Sequence, residues 1–262
     1  MTNFRTTLKG FTSLSAKALG LFTLGAIVLP LTLSSSAEEA FGQKLIDNLR
    51  SARPEIPILS VSDSPLPGLY AVELEGGGVL YGTPDGKHII SGDMYRIENN
   101  DLVNLAEAQR EVRRRDLMAA LKADDAWVFA AVGGKPKAVI NVFTDVDCHY
   151  CRQLHLEVPQ LNAMGIEVRY LGFPRAGVGS ESYNKIVSAW CADDRDTALT
   201  AAKAGQPIPA KDCANPIADQ HTLGQRVGVT GTPAIITQDG QLIPGYRPAE
   251  ILAASLGIAT ES

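Results

Sequence analysis

The sequence predicts two folded units of different class joined by a helix: a small α+β unit over residues 38–98, a linker helix over 99–123 and an α/β unit over 124–262. Three observations predict it. Short apolar runs between Ile58 and Ile97 are separated by Pro65-Leu66-Pro67-Gly68, Gly76-Gly77-Gly78 and Asp85-Gly86, as in a small antiparallel sheet. The stretch from Leu102 to Lys122 has no Gly or Pro and is rich in Ala, Leu, Glu and Arg, which are helix formers. Beyond it, Ala138–Thr144, a helix opening at Cys148, and Ile166–Phe173 read as strand, helix and strand, which implies a parallel pair with a right-handed crossover.

The N-terminus stands outside this plan. Arg5, Lys9 and Lys17 precede an apolar run from Ala18 to Leu33, followed by Ser34-Ser35-Ser36-Ala37, the pattern of an export signal cleaved after Ala37. The run contains Pro30 and is shorter than the roughly 20 residues of a spanning helix. Loss of residues 1–37 removes three basic and no acidic side chains, so the formal charge moves from −5 to −8. An acidic exported chain gives no electrostatic basis for nucleic-acid binding, and its compartment permits disulfides.

In the first unit, Ala40, Phe41, Leu45, Ile46 and Leu49 have helical spacing over Glu38–Arg50, and Pro54 and Pro57 end the helix. Strands follow at Leu59–Ser62, Leu69–Leu74, Val79–Gly82 and His88–Ile97, with Tyr70, Val72 and Leu74 on an apolar face and Ala71, Glu73 and Glu75 on a wet one. So small a unit is marginal alone, and it leans either on the larger domain or on a second copy joined through edge strands. Asn99-Asn100-Asp101 supplies N-cap residues for the linker helix. The middle of that helix, Arg110 to Asp116, is nearly all charged and reads as a solvated stalk, with Arg113–Arg115 a wetted face.

In the second unit, Trp127–Val132 and the continuously apolar Ala138–Thr144 are strands. The helix from Cys148 to about Leu161 carries Pro159 as a bend or stop, and Ile166–Phe173 is the next strand. Glu181–Pro216 is mainly helical and Ile217–Val227 is a further helix. Val229–Thr237 opens a strand, Asp239-Gly240 turns it, Gln241–Pro244 returns and Ala249–Leu256 closes as a helix.

The chemistry is concentrated in Cys148-His149-Tyr150-Cys151, at the carboxyl end of a buried strand and the first turn of a helix. Unpaired N–H groups and the helix dipole favour a Cys148 thiolate there, the species that attacks a disulfide; Cys151, one turn on, can then resolve the mixed disulfide. Asp145 and Asp147 oppose that thiolate, and a protonated His149 favours it. A zinc knuckle needs a second close pair, which Cys191 and Cys213 do not form, and c-type haem needs a histidine where Arg152 stands. A purely structural bridge is disfavoured because so short a loop constrains the unfolded chain little. No metal or other cofactor is called for.

Four cysteines allow three pairings; the functional pair Cys148–Cys151 leaves Cys191 with Cys213 as a structural bridge. Thr232-Pro233 is the second informative point. Proline lacks a strand's N–H and belongs at its first residue, where a cis peptide is plausible; beside Cys148, the main chain of Thr232 could pair with an extended substrate segment.

The order of these elements, with Cys148-His149-Tyr150-Cys151 and Thr232-Pro233, resembles the thioredoxin fold and within it the DsbC/DsbG family of periplasmic disulfide isomerases. The likeness runs through Gly78-Val79-Leu80-Tyr81, Asp85-Gly86-Lys87-His88-Ile89-Ile90, Val142-Phe143-Thr144-Asp145, Val168-Arg169-Tyr170-Leu171, Phe173-Pro174-Arg175, Trp190-Cys191, Gly231-Thr232-Pro233-Ala234 and Pro244-Gly245-Tyr246. The resemblance implies a cystatin-like N-terminal dimerisation domain, a V-shaped homodimer with an apolar cleft, and a C-terminal thioredoxin-like domain with a helical insertion. It implies a dithiol kept reduced by a membrane thiol reductase of the DsbD type, and misfolded exported proteins as substrates. The Cys191/Cys213 bridge matches the DsbC branch. His149-Tyr150 departs from the family's usual glycine-tyrosine, and since these residues help set thiolate stability, the departure bears on redox poise.

The expected function is periplasmic disulfide isomerisation or reduction with chaperone-like substrate binding. The alternatives are a net thiol oxidase of the same fold and a redox-independent holdase.

Overall fold

The computed structural model describes residues 35–259. The expected signal peptide lies outside them, apart from Ser35–Ala37, which open helix α1 (Ser35–Ala52). Strands β1 (Ile58–Asp63), β2 (Tyr70–Leu74), β3 (Val79–Gly82) and β4 (Ile89–Ser91) form an antiparallel sheet in sequence order. The period of two divides its side chains: Tyr70, Val72 and Leu80 pack under Leu45 and Leu49 of α1, while Ala71, Val79 and Tyr81 face Ala106. The face expected to be wet is therefore covered at Ala71. Helix and sheet approach so closely that a Cβ at Gly82 would lie 2.4 Å from Leu45 Cδ2.

The expected strand His88–Ile97 is two strands. The chain breaks after Ser91 through Gly92, whose φ is +142°, and resumes as β5 (Tyr95–Glu98), which pairs with β6 (Asp101–Asn104). Asn99 and Asn100, with φ of 49° and 68°, form the hairpin turn and do not cap the linker helix. Asparagine suits both roles, because its side chain satisfies local backbone and tolerates left-handed φ. The cap is Asn104, which accepts from the Glu107 amide at 3.0 Å, and helix α2 runs Leu105–Ala119.

Helix α2 is not a solvated stalk. Arg114 is only 4% exposed; its Nε donates to Val227 O at 3.0 Å, and its Nη1 donates to Glu107 Oε1 at 2.6 Å and to Gly240 O at 3.4 Å. On the N-terminal side Arg110 donates to Gly77 O at 3.0 Å, and Met118 joins Phe143, Leu171 and Val227 in an apolar cluster. A guanidinium can bury itself this way because its five donors meet carbonyls and a carboxylate. Close approach is built in at Gly240, where φ is +93° and a Cβ would stand 1.9 Å from Glu111 O. Replacing Arg114 with Met strands both carbonyls and takes the partner from Glu107 Oε1, leaving that carboxylate held by Arg110 alone. It is expected to cost about 2–4 kcal/mol in denaturant unfolding, whereas a wetted arginine would cost nothing measurable.

The C-terminal sheet has the order β11-β10-β8-β9-β7, with β8 (Ala138–Thr144) and β9 (Ile166–Gly172) parallel; β7 (Trp127–Phe129) pairs antiparallel with β9, and β10 (Ala234–Thr237) pairs antiparallel with both β8 and β11 (Leu242–Pro244). All seven residues of β8 are buried, as befits a central strand covered on both faces. Ile140, Val142, Val168, Tyr170 and Ile235 point to one core, and Phe143, Leu171, Ala234 and Ile236 to the other. Helices α3 (His149–Leu156), α4 (Val158–Ala163), α5 (Glu181–Trp190), α6 (Arg195–Lys203), α7 (Ile217–Arg226) and α8 (Ala249–Ser255) complete the domain.

Three boundaries differ from expectation. The first strand stops at Phe129 and leaves Val132 in a loop, and β10 begins only at Ala234, so Val229–Pro233 is loop as well. The helix expected to run to Leu161 breaks at Glu157, and Pro159 sits in the first turn of α4, where its missing N–H costs nothing. Cys191 and Cys213, 22 positions apart in sequence, are bonded with their Cα atoms 5.8 Å apart, tying the end of α5 to the segment before α7. On the chain-entropy account such a loop is worth about 3 kcal/mol.

Candidate active site

Parallel pairing of β8 and β9 sets Thr144 opposite Gly172 and sends both chains out of the same sheet edge. The β8 exit reaches Cys148, the N-cap of α3, and the β9 exit reaches Arg175. Antiparallel pairing of Ala234 with Phe143 brings the loop before β10 to the same edge, with its Thr232–Pro233 bond cis. Three separate stretches of chain thus converge at the carboxyl ends of the central strands, where open α/β sheets carry their sites.

Both thiols are free and buried, Cys148 at 3% exposure and Cys151 at 0%. Cys148 Sγ lies 3.2 Å from Thr232 O. That carbonyl can accept only from the neutral thiol, yet the balance of the site favours the thiolate: a hydrogen bond from the Cys151 thiol leads, the Thr232 hydroxyl and the Cys151 amide add to it, and the Arg175 charge assists. Against the penalty of burial they hold the Cys148 pKa at about 5. Among the described residues the buried Thr232 hydroxyl has no hydrogen-bond partner, which leaves it free to turn to the thiolate. Cys151 moves the opposite way, raised first by burial and then by its bond to Cys148. The pair therefore divides into one thiol that favours the ionised form and one that stays protonated.

The acidic groups that the sequence sets against this thiolate are occupied. Asp145, 2% exposed, accepts from Arg175 N at 3.0 Å, from Arg175 Nε at 3.2 Å and from Asp147 N at 2.9 Å. Asp147 pairs with Lys185 at 3.1 Å and Arg152 at 3.4 Å. His149 and Tyr150 are exposed; the Tyr150 ring stacks on Tyr246 with centroids 6.3 Å apart. Arg175 is a cation that assists the thiolate. Beside Thr232 and Pro233 lies a shallow groove of ≈ 160 Å³, lined by Val229, Thr230, Gly231, Ala234 and Pro244.

Sequence reasoning brought together Cys148, Cys151, Thr232 and Pro233 but gave no role to Arg175, Thr144, Lys203 or Tyr246. Arg175 was within reach, since parallel strands ending in register must deliver residues just beyond Gly172 to the cysteines' edge. Lys203 was not. It comes from α6, is 2% exposed, donates from Nζ to Thr144 Oγ1 at 2.5 Å and lies 4.7 Å from the Tyr170 ring centre. Beside it His155 bonds the Tyr170 hydroxyl at 3.3 Å and Thr200 Oγ1 at 3.0 Å, and burial holds its pKa near 4, so it is neutral.

Comparison with known proteins places this geometry. A thioredoxin-like domain family matches residues 126–259, and the N-terminal domain family of the disulfide bond isomerase protein matches residues 33–107. The thiol:disulfide interchange protein DsbC of Escherichia coli (strain K12) is 39% identical over 197 residues, covering 75% of this chain and 80% of its own. DsbC of Salmonella typhimurium is 42% identical over 194 residues, covering 74% and 78%. DsbC of Dickeya dadantii is 37% identical over 240 residues, covering 92% and 94%. With both domain families in order along the chain and a reduced dithiol beside a cis-proline loop, the chain belongs to the DsbC family of thiol:disulfide interchange proteins, the disulfide bond isomerases.

Proposed function

We propose that this enzyme works in the periplasm, rearranging or reducing non-native disulfides in misfolded exported proteins. The observation that carries the reading is the divided dithiol, a low-pKa Cys148 beside a buried, protonated Cys151, facing the main chain of Thr232. Cys148 attacks the substrate disulfide. The freed substrate thiol then attacks elsewhere in the substrate, or Cys151 resolves the mixed disulfide by reduction. Thr232 and Pro233 hold the substrate main chain, His149 and Tyr150 tune the redox poise, and Cys191–Cys213 is structural. The division at 38–98, 99–123 and 124–262 belongs to this reading, and the two domain matches support it.

A homodimer through the N-terminal domains is supported by exposed apolar side chains on the edge strand β4, Ile89 and Ile90, and on the β5–β6 hairpin, Tyr95, Ile97 and Leu102. The mature protein is expected to sediment at twice its chain mass at micromolar concentration; a monomer there would overturn the dimer. Such an assembly gives substrates an apolar cleft, and a variant lacking both Cys148 and Cys151 is expected to keep suppressing aggregation of unfolded chains. The net charge of −5 supports no nucleic-acid partner.

The low Cys148 pKa stabilises the reduced state and so makes the disulfide oxidising, which a net oxidase would share. Isomerase and oxidase part over the redox state in the cell. We expect the protein to reactivate a scrambled multi-disulfide substrate and to accumulate with Cys148 and Cys151 reduced, through a membrane thiol reductase of the DsbD type. Accumulation in the oxidised form would reverse the assignment.

A further inference from the structure

One buried cation has no place in the exchange cycle above. Lys203 is enclosed at the end of α6, and among the described residues no carboxylate pairs with it; its contacts are the Thr144 hydroxyl at 2.5 Å and the Tyr170 ring. An unpaired ammonium is costly to bury, so the side chain must either give up its proton or find negative charge nearby. The negative charge is that of the dithiol, for Thr144 also hydrogen-bonds the Cys151 sulfur. Thr144 stands between them, a hydroxyl with one proton to give and lone pairs to receive another.

We propose that Lys203 is the proton acceptor for Cys151, acting through the Thr144 hydroxyl, in the step that resolves the mixed disulfide. The proposal rests on the roles given to Cys148 and Cys151 above. With Cys148 bound to substrate, the Cys151 thiol passes its proton to Thr144 Oγ1 as Thr144 passes its own to the neutral Lys203 Nζ. The Cys151 sulfur then attacks Cys148 Sγ; the Cys148–Cys151 bond forms, the Cys148–substrate bond breaks, and the electron pair leaves on the substrate sulfur, which takes a proton from solvent. The dithiol is oxidised by two electrons and the substrate disulfide reduced by two.

The surroundings suit the task. The groups facing Lys203 are Cys148, Cys151, Arg152 and His155 from α3, Asp145 from the β8–α3 loop and Tyr170 from β9. Burial pulls its pKa down to about 8, and the charges of Cys151, Cys148 and Asp145 hold it up. When Cys148 enters a mixed disulfide its thiolate charge disappears, Lys203 releases its proton more readily, and the neutral amine is ready when Cys151 must ionise. Lys203 is a positioning residue for protons, and Thr144 is the group in contact with the reacting sulfur.

The test uses the reduced full-length mature protein and dithionitrobenzoate, which releases one chromophore when Cys148 attacks and a second when Cys151 resolves. Lys203→Met is expected to leave the first phase unchanged and to slow the second about 100-fold at neutral pH, abolishing its rise with pH near the lysine's midpoint. Thr144→Val, which keeps the lysine, is expected to do the same. A second phase with wild-type rate and pH profile overturns the relay, and so does equal slowing of both phases, the mark of a merely structural role. Cys151→Ser must lose the second phase; if it does not, the roles of the two cysteines fail, independently of Lys203. In the unmutated protein, the ε-carbon NMR titration of Lys203 is expected to move to lower pH when the dithiol is oxidised, and an unmoved midpoint also overturns the proposal.

Discussion

Replacing Cys148 with Ser is expected to lower the reactivation of a scrambled disulfide-bonded substrate by at least about 10³-fold, the scale on which enzymes lose rate when their nucleophile is removed. A serine hydroxyl in the same pocket cannot ionise near neutrality, and the hydrogen bonds from Cys151 and Thr232 that hold the sulfur at a pKa of about 5 cannot make up the difference. Cys151→Ser should behave differently. Its Cys148 still attacks, because the serine hydroxyl keeps a donor beside the thiolate, but it has no internal route out of the mixed disulfide. The variant should accumulate covalent complexes with substrate, visible on non-reducing gels, while isomerisation that proceeds through substrate thiols falls by a smaller factor, roughly 10-fold. Equal activity in the two variants would sink the assignment of attacker and resolver.

The second large effect is a pH dependence of stability that exists only in the reduced protein. In the unfolded chain Cys148 titrates as an ordinary thiol near 9.0, and in the folded chain at about 5. A depressed folded pKa contributes stability that is fully present above the unfolded value and is lost as pH falls through the folded one. At pH 7 the contribution is of order 3 kcal/mol, from roughly two units between the solution pH and the folded pKa. The oxidised protein has no thiol and no such contribution. Reduced protein should therefore melt at the higher temperature at neutral pH, and the gap between the two forms should shrink toward zero as pH approaches 5. Iodoacetamide alkylation should be flat in rate from pH 9 to 6 and fall below about 5, whereas an ordinary thiol would lose rate steadily over the upper range. A melting gap independent of pH would mean that Cys148 is not ionised in the folded state.

What could be read from the sequence follows from how local its signals are. The strand, Cys-x-x-Cys and helix occupy consecutive residues from Val142 to Leu154, and the Thr232-Pro233 loop announces itself through proline's missing donor. The errors sit where one residue type serves two purposes. Asn99 and Asn100 suit a helix cap as well as a turn, and Arg114 lies in a charge run that resembles any solvated face. Its partners Val227 and Gly240 are 113 and 126 positions away, beyond any periodicity argument. Lys203 is the extreme case. Nothing in Thr200-Ala201-Ala202-Lys203-Ala204 marks that lysine as buried, because its burial depends on Thr144, 59 positions earlier and on another layer of the fold.

The Arg114 clasp also bears on how tightly clients are held. The middle of helix α2 is tied to both domains, by Arg110 to the β2–β3 turn and by Arg114 to the loops around Val227 and Gly240, so the angle between the N-terminal sheet and the dithiol is set before any client arrives. A client that spans the proposed dimer meets a frame already in its binding shape and does not have to supply the free energy of ordering two loose arms. Cutting the clasp should leave the chemistry of a small disulfide intact while weakening the capture of large ones, because only the large client draws on the fixed spacing.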